Sequence, residues 1–229
     1  MMFFKVIAAF VVMATAVVPV AMGRASDSTT GELTVEMMII RENSASQVRE
    51  QNLFALRYTE NAIGRGSAED EVYAALERLV FSGTLTRTLA RGQVANNFPD
   101  VRREAARQLG LVGSEDARAI LLRACMIERD PLVLREILAS LGEIASDDNA
   151  LTVAVIVRAA GRNHRAAVPN NHVALAAVNA LGSIAERDGG LTDSGAFWYL
   201  FAVAEGPYVT VVRERAWEVI DGLREFVEG

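Results

Sequence analysis

The chain has 229 residues, 51% of them hydrophobic and 23% charged, which suits one domain with a sizeable core. Its formal net charge is −6, and Lys5 is the only lysine, so arginine supplies nearly all the cationic side chains. No polybasic segment stands in it to attract nucleic-acid phosphate or anionic lipid, and the lone Cys125 excludes an intramolecular disulfide.

Taken in chain order, residues 1–23 read as a signal peptide. Lys5 closes a short basic start, Val6 to Val18 is an apolar run, and Ala21/Gly23 satisfy the small-x-small rule for cleavage, with Gly23/Ala25 as a second site. Export to the periplasm or the medium is expected, with no stable membrane insertion once the segment is removed. Residues 24–31 are a polar, flexible start. Leu33–Arg41 reads as a buried helix, although a strand also suits so short an apolar run. Ser46–Gly64 is a stronger helix, ended by Gly64-Arg65-Gly66. Residues 32–66 thus form an N-terminal capping pair, and residues 67–229 the repeats. Ser67 is expected to cap the next helix, with Val72, Ala75, Leu76 and Leu79 on its apolar face. Residues 83–98 form a long connection with one helical turn near Leu85 to Arg91. Further pairs follow at Ser114–Glu128 with Asp130–Ala145, at Asp147–Ala160 with Asn171–Arg187, and at Thr192–Ala204 with Tyr208–Val227.

Four of these helices share one pattern, with apolar or small residues spaced four, four and three apart. The sets are Val101, Ala105, Leu109, Val112; Val133, Ile137, Leu141, Ile144; Val173, Ala177, Leu181, Ile184; and Val212, Ala216, Ile220, Leu223. A recurring single-face stripe predicts stacked helices. Gly110, Gly142 and Gly182 follow the leucine each time, inside a helix, where glycine costs about 1 kcal/mol relative to alanine. Their common register points to close helix approach.

The motif Pro-x-Val-Arg-x-x-Ala-x-x-x-Leu-Gly resembles the second helix of a HEAT repeat, especially the short bacterial kind also found in phycobilisome-lyase-like proteins. Pro99, Val101, Arg102, Ala105, Leu109 and Gly110 match it in full. Pro131, Val133, Leu141 and Gly142 match with Leu134 in place of the arginine; the third copy has Asn171 for proline, and the last has Asp221 for glycine. The resemblance implies an all-α fold, a right-handed α-solenoid of about five antiparallel helix pairs, with the motif helices lining its concave face. It also implies that the family arginine pairs with acids of adjacent repeats or contacts a ligand.

The search for catalytic chemistry is negative. The chain has no Cys-x-x-Cys, His-Glu-x-x-His, Gly-x-Ser-x-Gly or phosphate-binding glycine loop, and its two histidines, His164 and His172, have no acidic partners at metal-ligand spacing. No catalytic residue, metal or cofactor is assigned. Cys125 sits in an apolar helix segment as a small buried side chain. Trp198 and Trp217 are expected in the core of the last pair. The expected function is an exported, non-enzymatic scaffold or adaptor that binds another envelope protein, with an acidic segment as its target. Its candidate contacts are Arg102, Arg103 and Arg107 on the concave layer, and Asn96, Asn97, Asn170, Asn171 and His172 at the starts of motif helices, where capping is the alternative role. The runner-up implied by the resemblance is a phycobilin-lyase-like enzyme or chaperone with a hydrophobic cleft. Nucleic acid is not expected: residues 100–112 carry three arginines against two acids, 131–145 one against two, and 208–229 three against five, so no basic track forms.

Overall fold

The computed structural model describes residues 34–67 and 69–228, with side chains through Arg224. The proposed signal peptide, residues 1–23, and the start at 24–31 lie outside the described residues. Within them the chain forms ten helices: α1 (Val35–Ser44), α2 (Arg49–Gly64), α3 (Asp70–Val80), α4 (Pro99–Val112), α5 (Glu115–Ile127), α6 (Pro131–Glu143), α7 (Ala150–His164), α8 (Asn171–Asp188), α9 (Ser194–Ala204) and α10 (Thr210–Glu228). The first apolar run is therefore helical, not a strand.

Local chemistry explains the helix ends. Ser114 caps α5 by accepting from Ala117 N at 3.1 Å, and Asp130 caps α6 with Pro131 at the first helical position, where no N–H is needed. Gly113 and Gly189 close α4 and α8 in the left-handed conformation. Ser67 does not cap α3, whose N-cap is Glu69 without a side-chain bond.

The helices pair antiparallel and stack in two layers. The even-numbered helices pack side by side as one layer and the odd-numbered helices as the other. The four-four-three stripes face the interior: Val101, Leu109, Ile137, Leu141, Leu181 and Ile220 have 1% exposure or less, and only Val112 and Leu223 are partly open. One continuous core runs from Met37 to Ile220. The array is thus an all-α, HEAT-like solenoid.

The recurring glycines sit where even-numbered helices touch. A Cβ on Gly110 would lie 2.6 Å from Ser140 Oγ, one on Gly142 would lie 2.6 Å from Ala180 Cα, and one on Gly182 would lie 3.0 Å from Val219 Cγ2. In each case the contacted residue stands two positions before the equivalent step of the next repeat. From α4 to α10 the even-numbered helices meet more closely than the odd-numbered ones, as the motif resemblance expects of the inner layer of such an array.

Two connections differ from the sequence expectation. Residues 83–98 hold no helical turn. They form a short hairpin of β1 (Leu89–Ala90) and β2 (Gln93–Val94), because Arg91 and Gly92 both take positive φ, 53° and 78°, the requirement of a two-residue type I′ turn. The connection at residues 161–170, left between Asp147–Ala160 and Asn171–Arg187 by the sequence reading, is shorter than expected, since α7 continues to His164.

Candidate protein-interaction surfaces

Every connection within a pair emerges at one edge of the array, and every connection between pairs at the opposite edge. The within-pair edge carries most of the candidate residues, and the structure separates them. Arg102 does not reach the surface. It is 2% exposed, donates from Nε to Glu128 at 2.8 Å, and donates from Nη1 to Asn97 Oδ1 at 2.8 Å and to the Ser82 carbonyl at 3.1 Å. Glu128 is just as buried, and its other oxygen accepts from the backbone N–H groups of Arg129 and Asp130 at 2.7 Å. The two charges neutralise each other, so this arginine ties α4 to the α5–α6 turn of the next repeat. Its assignment as a binding residue is corrected.

Asn96 is also internal. Its amide accepts from Thr88 N at 2.9 Å and donates to the Thr86 carbonyl at 2.8 Å and to Ser82 Oγ at 3.2 Å, pinning the hairpin loop from within. Neither Asn96 nor Asn97 caps α4, whose N-cap is Phe98. Asn97 is exposed but holds Arg102. Asn170 is the N-cap of α8, accepting from His172 N at 2.9 Å and Val173 N at 3.2 Å, and it exchanges two bonds with Asn163 at the end of α7. Asn171 accepts from Val209 N at 2.9 Å and so joins the last two repeats. His172 is exposed.

Arg103 is exposed on the inner layer, one turn from Arg107. Arg107 reaches Glu60 at 2.6 Å and also pairs with Glu104, while Arg49 binds Asp100. Glu104 is partly buried, which favours its neutral form, but hydrogen bonds from Arg107 and Gln108 outweigh burial and hold its carboxyl below 4.5. Arg49, Arg103 and Arg107 thus face Asp100, Glu60 and Glu104, an electrically balanced network and not a free cationic cluster. Such exposed pairs are individually worth at most about 1 kcal/mol.

The inner layer does offer a groove. Between α6 and α8 a depression of about 440 Å³ is lined by Arg135, Glu136, Ala139, His172, Leu175 and Asn179, among others. Among the sequence candidates only His172 lies on it. At the opposite edge a cavity of about 440 Å³ is walled by Val153, Ile184, Leu191, Phe197 and Leu223, with Asn149 and Asp188 at its polar side. Trp198 is not in the core, as expected from sequence, but 67% exposed on α9 beside Phe197; Trp217 packs edge-on against Phe201 with ring centroids 5.8 Å apart. Cys125 is fully buried, and burial pushes its thiol up to about 12. Among the described residues no group of three or more His, Cys, Asp or Glu side chains is placed to hold a metal ion, and no helix is long and apolar enough to cross a membrane.

With a two-layered array of helix pairs in view, comparison with protein families finds one similarity, over part of the chain. Residues 89–168 match the family model for HEAT repeats. The matched stretch runs from the hairpin through α7 and contains the Gly110–Ser140 contact, Gly142 itself and the buried Arg102–Glu128 pair. The HEAT-type packing continues beyond it in α8 and α10, where Gly182 repeats the contact. No curated protein matches the chain.

Proposed function

We propose that the protein is an exported, non-enzymatic scaffold that binds another envelope protein along its inner helix layer, with the within-pair edge adding contacts. The observation that carries the reading is the continuous layer of even-numbered helices. Its neighbouring helices are locked together by glycine contacts, while its outer face leaves the α6–α8 groove open, with Arg135, Glu136 and Asn179 offering both charges and an amide. A solenoid layer of this type is suited to grip an extended segment. Export rests on the amino-acid pattern of residues 1–23. The intact mass of protein recovered from the exported fraction should begin at Arg24 or Ser26; a mass retaining Met1 would support an uncleaved anchor. The binding reading is tested by capture of envelope proteins on the exported chain and on an Ala139→Arg variant, which fills the groove from an exposed position.

The apolar cavity beside α9 favours a second reading, that of a phycobilin-lyase-like chaperone for a tetrapyrrole. Its volume falls within the range of ligand pockets and its walls are mainly apolar. Titration with a bilin, followed by absorbance, should show saturable binding lost in Phe197→Asp if that reading holds.

A further inference from the structure

The within-pair edge gathers cations that lie far apart in sequence. Arg158 and Arg162 are four residues apart on α7 and share a face. Arg162 reaches across to α5 and donates to the Cys125 carbonyl at 3.0 Å, which brings it beside Arg129 at the end of that helix. Arg165 follows at the start of the α7–α8 loop. Burial lowers the Arg162 pKa, and the charges of Arg129, Arg158 and Arg165 lower it further. Arg87 and Arg91 extend the row onto the hairpin loop. None of these six has a carboxylate within ion-pairing distance among the described residues. The acids along this stretch are already engaged: Asp100 by Arg49, Glu128 by Arg102, and Asp130 as the cap of α6. Glu205, farther along, is exposed, as are Glu42 and Glu214 near the two ends of the array.

Helix dipoles do not explain this charge. Each pair presents one N-terminus and one C-terminus at each edge, so their half-charges cancel. The opposite edge carries Glu115, Asp116, Asp147, Asp148, Asp188 and Asp193, of which Glu115 is paired with Arg118, so acids without an ion pair gather there as unpaired arginines gather here.

The cationic edge also bears protruding aliphatic tips. Val168 is 86% exposed in the α7–α8 loop, and Leu89 and Leu85 are 68% and 66% exposed in the hairpin loop. These are single side chains at loop ends, with arginines beside them, and no aromatic anchor of the type that dominates protein hot spots stands there. Apolar tips that enter the acyl boundary while arginines meet lipid phosphates are the design of a surface-bound membrane protein.

We propose that this edge docks the array peripherally onto an anionic phospholipid surface, with Val168, Leu85 and Leu89 entering the interface and Arg129, Arg158, Arg162 and Arg165 contacting phosphate. The inference stands apart from the scaffold reading, because it concerns the edge and not the inner layer. It is tested in the full chain by placing an environment-sensitive fluorophore on Val168→Cys, and separately on Leu151→Cys at the acidic edge. The buried Cys125 stays unlabelled. With vesicles of phosphatidylglycerol and phosphatidylcholine, emission from position 168 should shift to the blue while that from 151 stays put. Comparing the two edges makes the result independent of any lipid affinity of residues 1–33. The shift should fade with added salt, vanish with phosphatidylcholine alone, and be lost in Arg158→Ala/Arg165→Ala, whose exposed side chains leave the core intact. An equal shift on uncharged vesicles, or equal shifts at both positions, would overturn the proposal. So would a shift produced by a soluble polyglutamate peptide and not by phosphatidylglycerol, which would assign the edge to an acidic protein.

Discussion

The two helix layers use small residues differently. In the even-numbered layer, Gly110, Gly142 and Gly182 stand where a neighbour's backbone or short side chain arrives, and those helices meet closely. In the odd-numbered layer Gly161 and Gly195 have only side-chain atoms near them, and α9 turns Phe197, Trp198 and Phe201 partly to solvent. One layer is fixed by contact geometry and sets the repeat. The other tolerates variation, and its exposed residues report on surface chemistry more than on stability.

If that division is right, substitutions in the even-numbered layer should cost far more. Arg102→Met should have the largest effect, about 3–5 kcal/mol by chemical denaturation, because it leaves Glu128 charged and unpaired in the interior. Combining it with Glu128→Leu should recover part of the loss. Leu141→Ala should cost about 2–5 kcal/mol, since its side chain is fully buried between two repeats. The glycines give the sharper contrast. Gly142→Ala should destabilise by about 1–3 kcal/mol, as its new methyl meets Ala180 Cα, which cannot step aside. Gly222→Ala, within α10 and with nothing within 4 Å, should instead stabilise by up to about 1 kcal/mol. Opposite signs in thermal melting for the same replacement would confirm that contact, and not helix propensity, decides.

The balanced network on α4 should make a smaller, pH-dependent contribution. Folding depresses the Glu104 carboxyl, so the native state binds that proton less readily than the unfolded chain. Its contribution is complete above 4.5 and is lost as pH falls through the depressed native value. Melting temperature should drop on acidification in that range, and the drop should shrink in Arg107→Ala. Trp198→Ala, on the odd-numbered layer, should change stability by no more than about 0.5 kcal/mol.

The fold was legible in the sequence because its signal is periodic and local. The four-four-three stripes define one face of each helix, and the repeated Leu-Gly step marks the inter-repeat contact without any knowledge of distance. The interaction surface was harder to see. Arg102, Arg103 and Arg107 are close in sequence, yet their fates depend on acids contributed by other repeats, Glu128 and Glu60, which no local pattern exposes. The edge arginines show the reverse: Arg87, Arg129 and Arg162 are scattered along the chain, and only stacking places them together. Trp198 reads as core in the sequence but stands exposed, because α9 is apolar around its circumference and its sequence does not say which aromatic face is covered.

The central claim is that the inner, even-numbered layer is the binding surface and the odd-numbered layer is not. Its most direct measurement is parallel capture of envelope proteins by the exported chain and by Ala139→Arg and Trp198→Ala variants of equal melting temperature. Ala139→Arg should lose a protein that the wild type and Trp198→Ala both retain. Retention by Ala139→Arg together with loss by Trp198→Ala would contradict it and move the site to the aromatic face of α9.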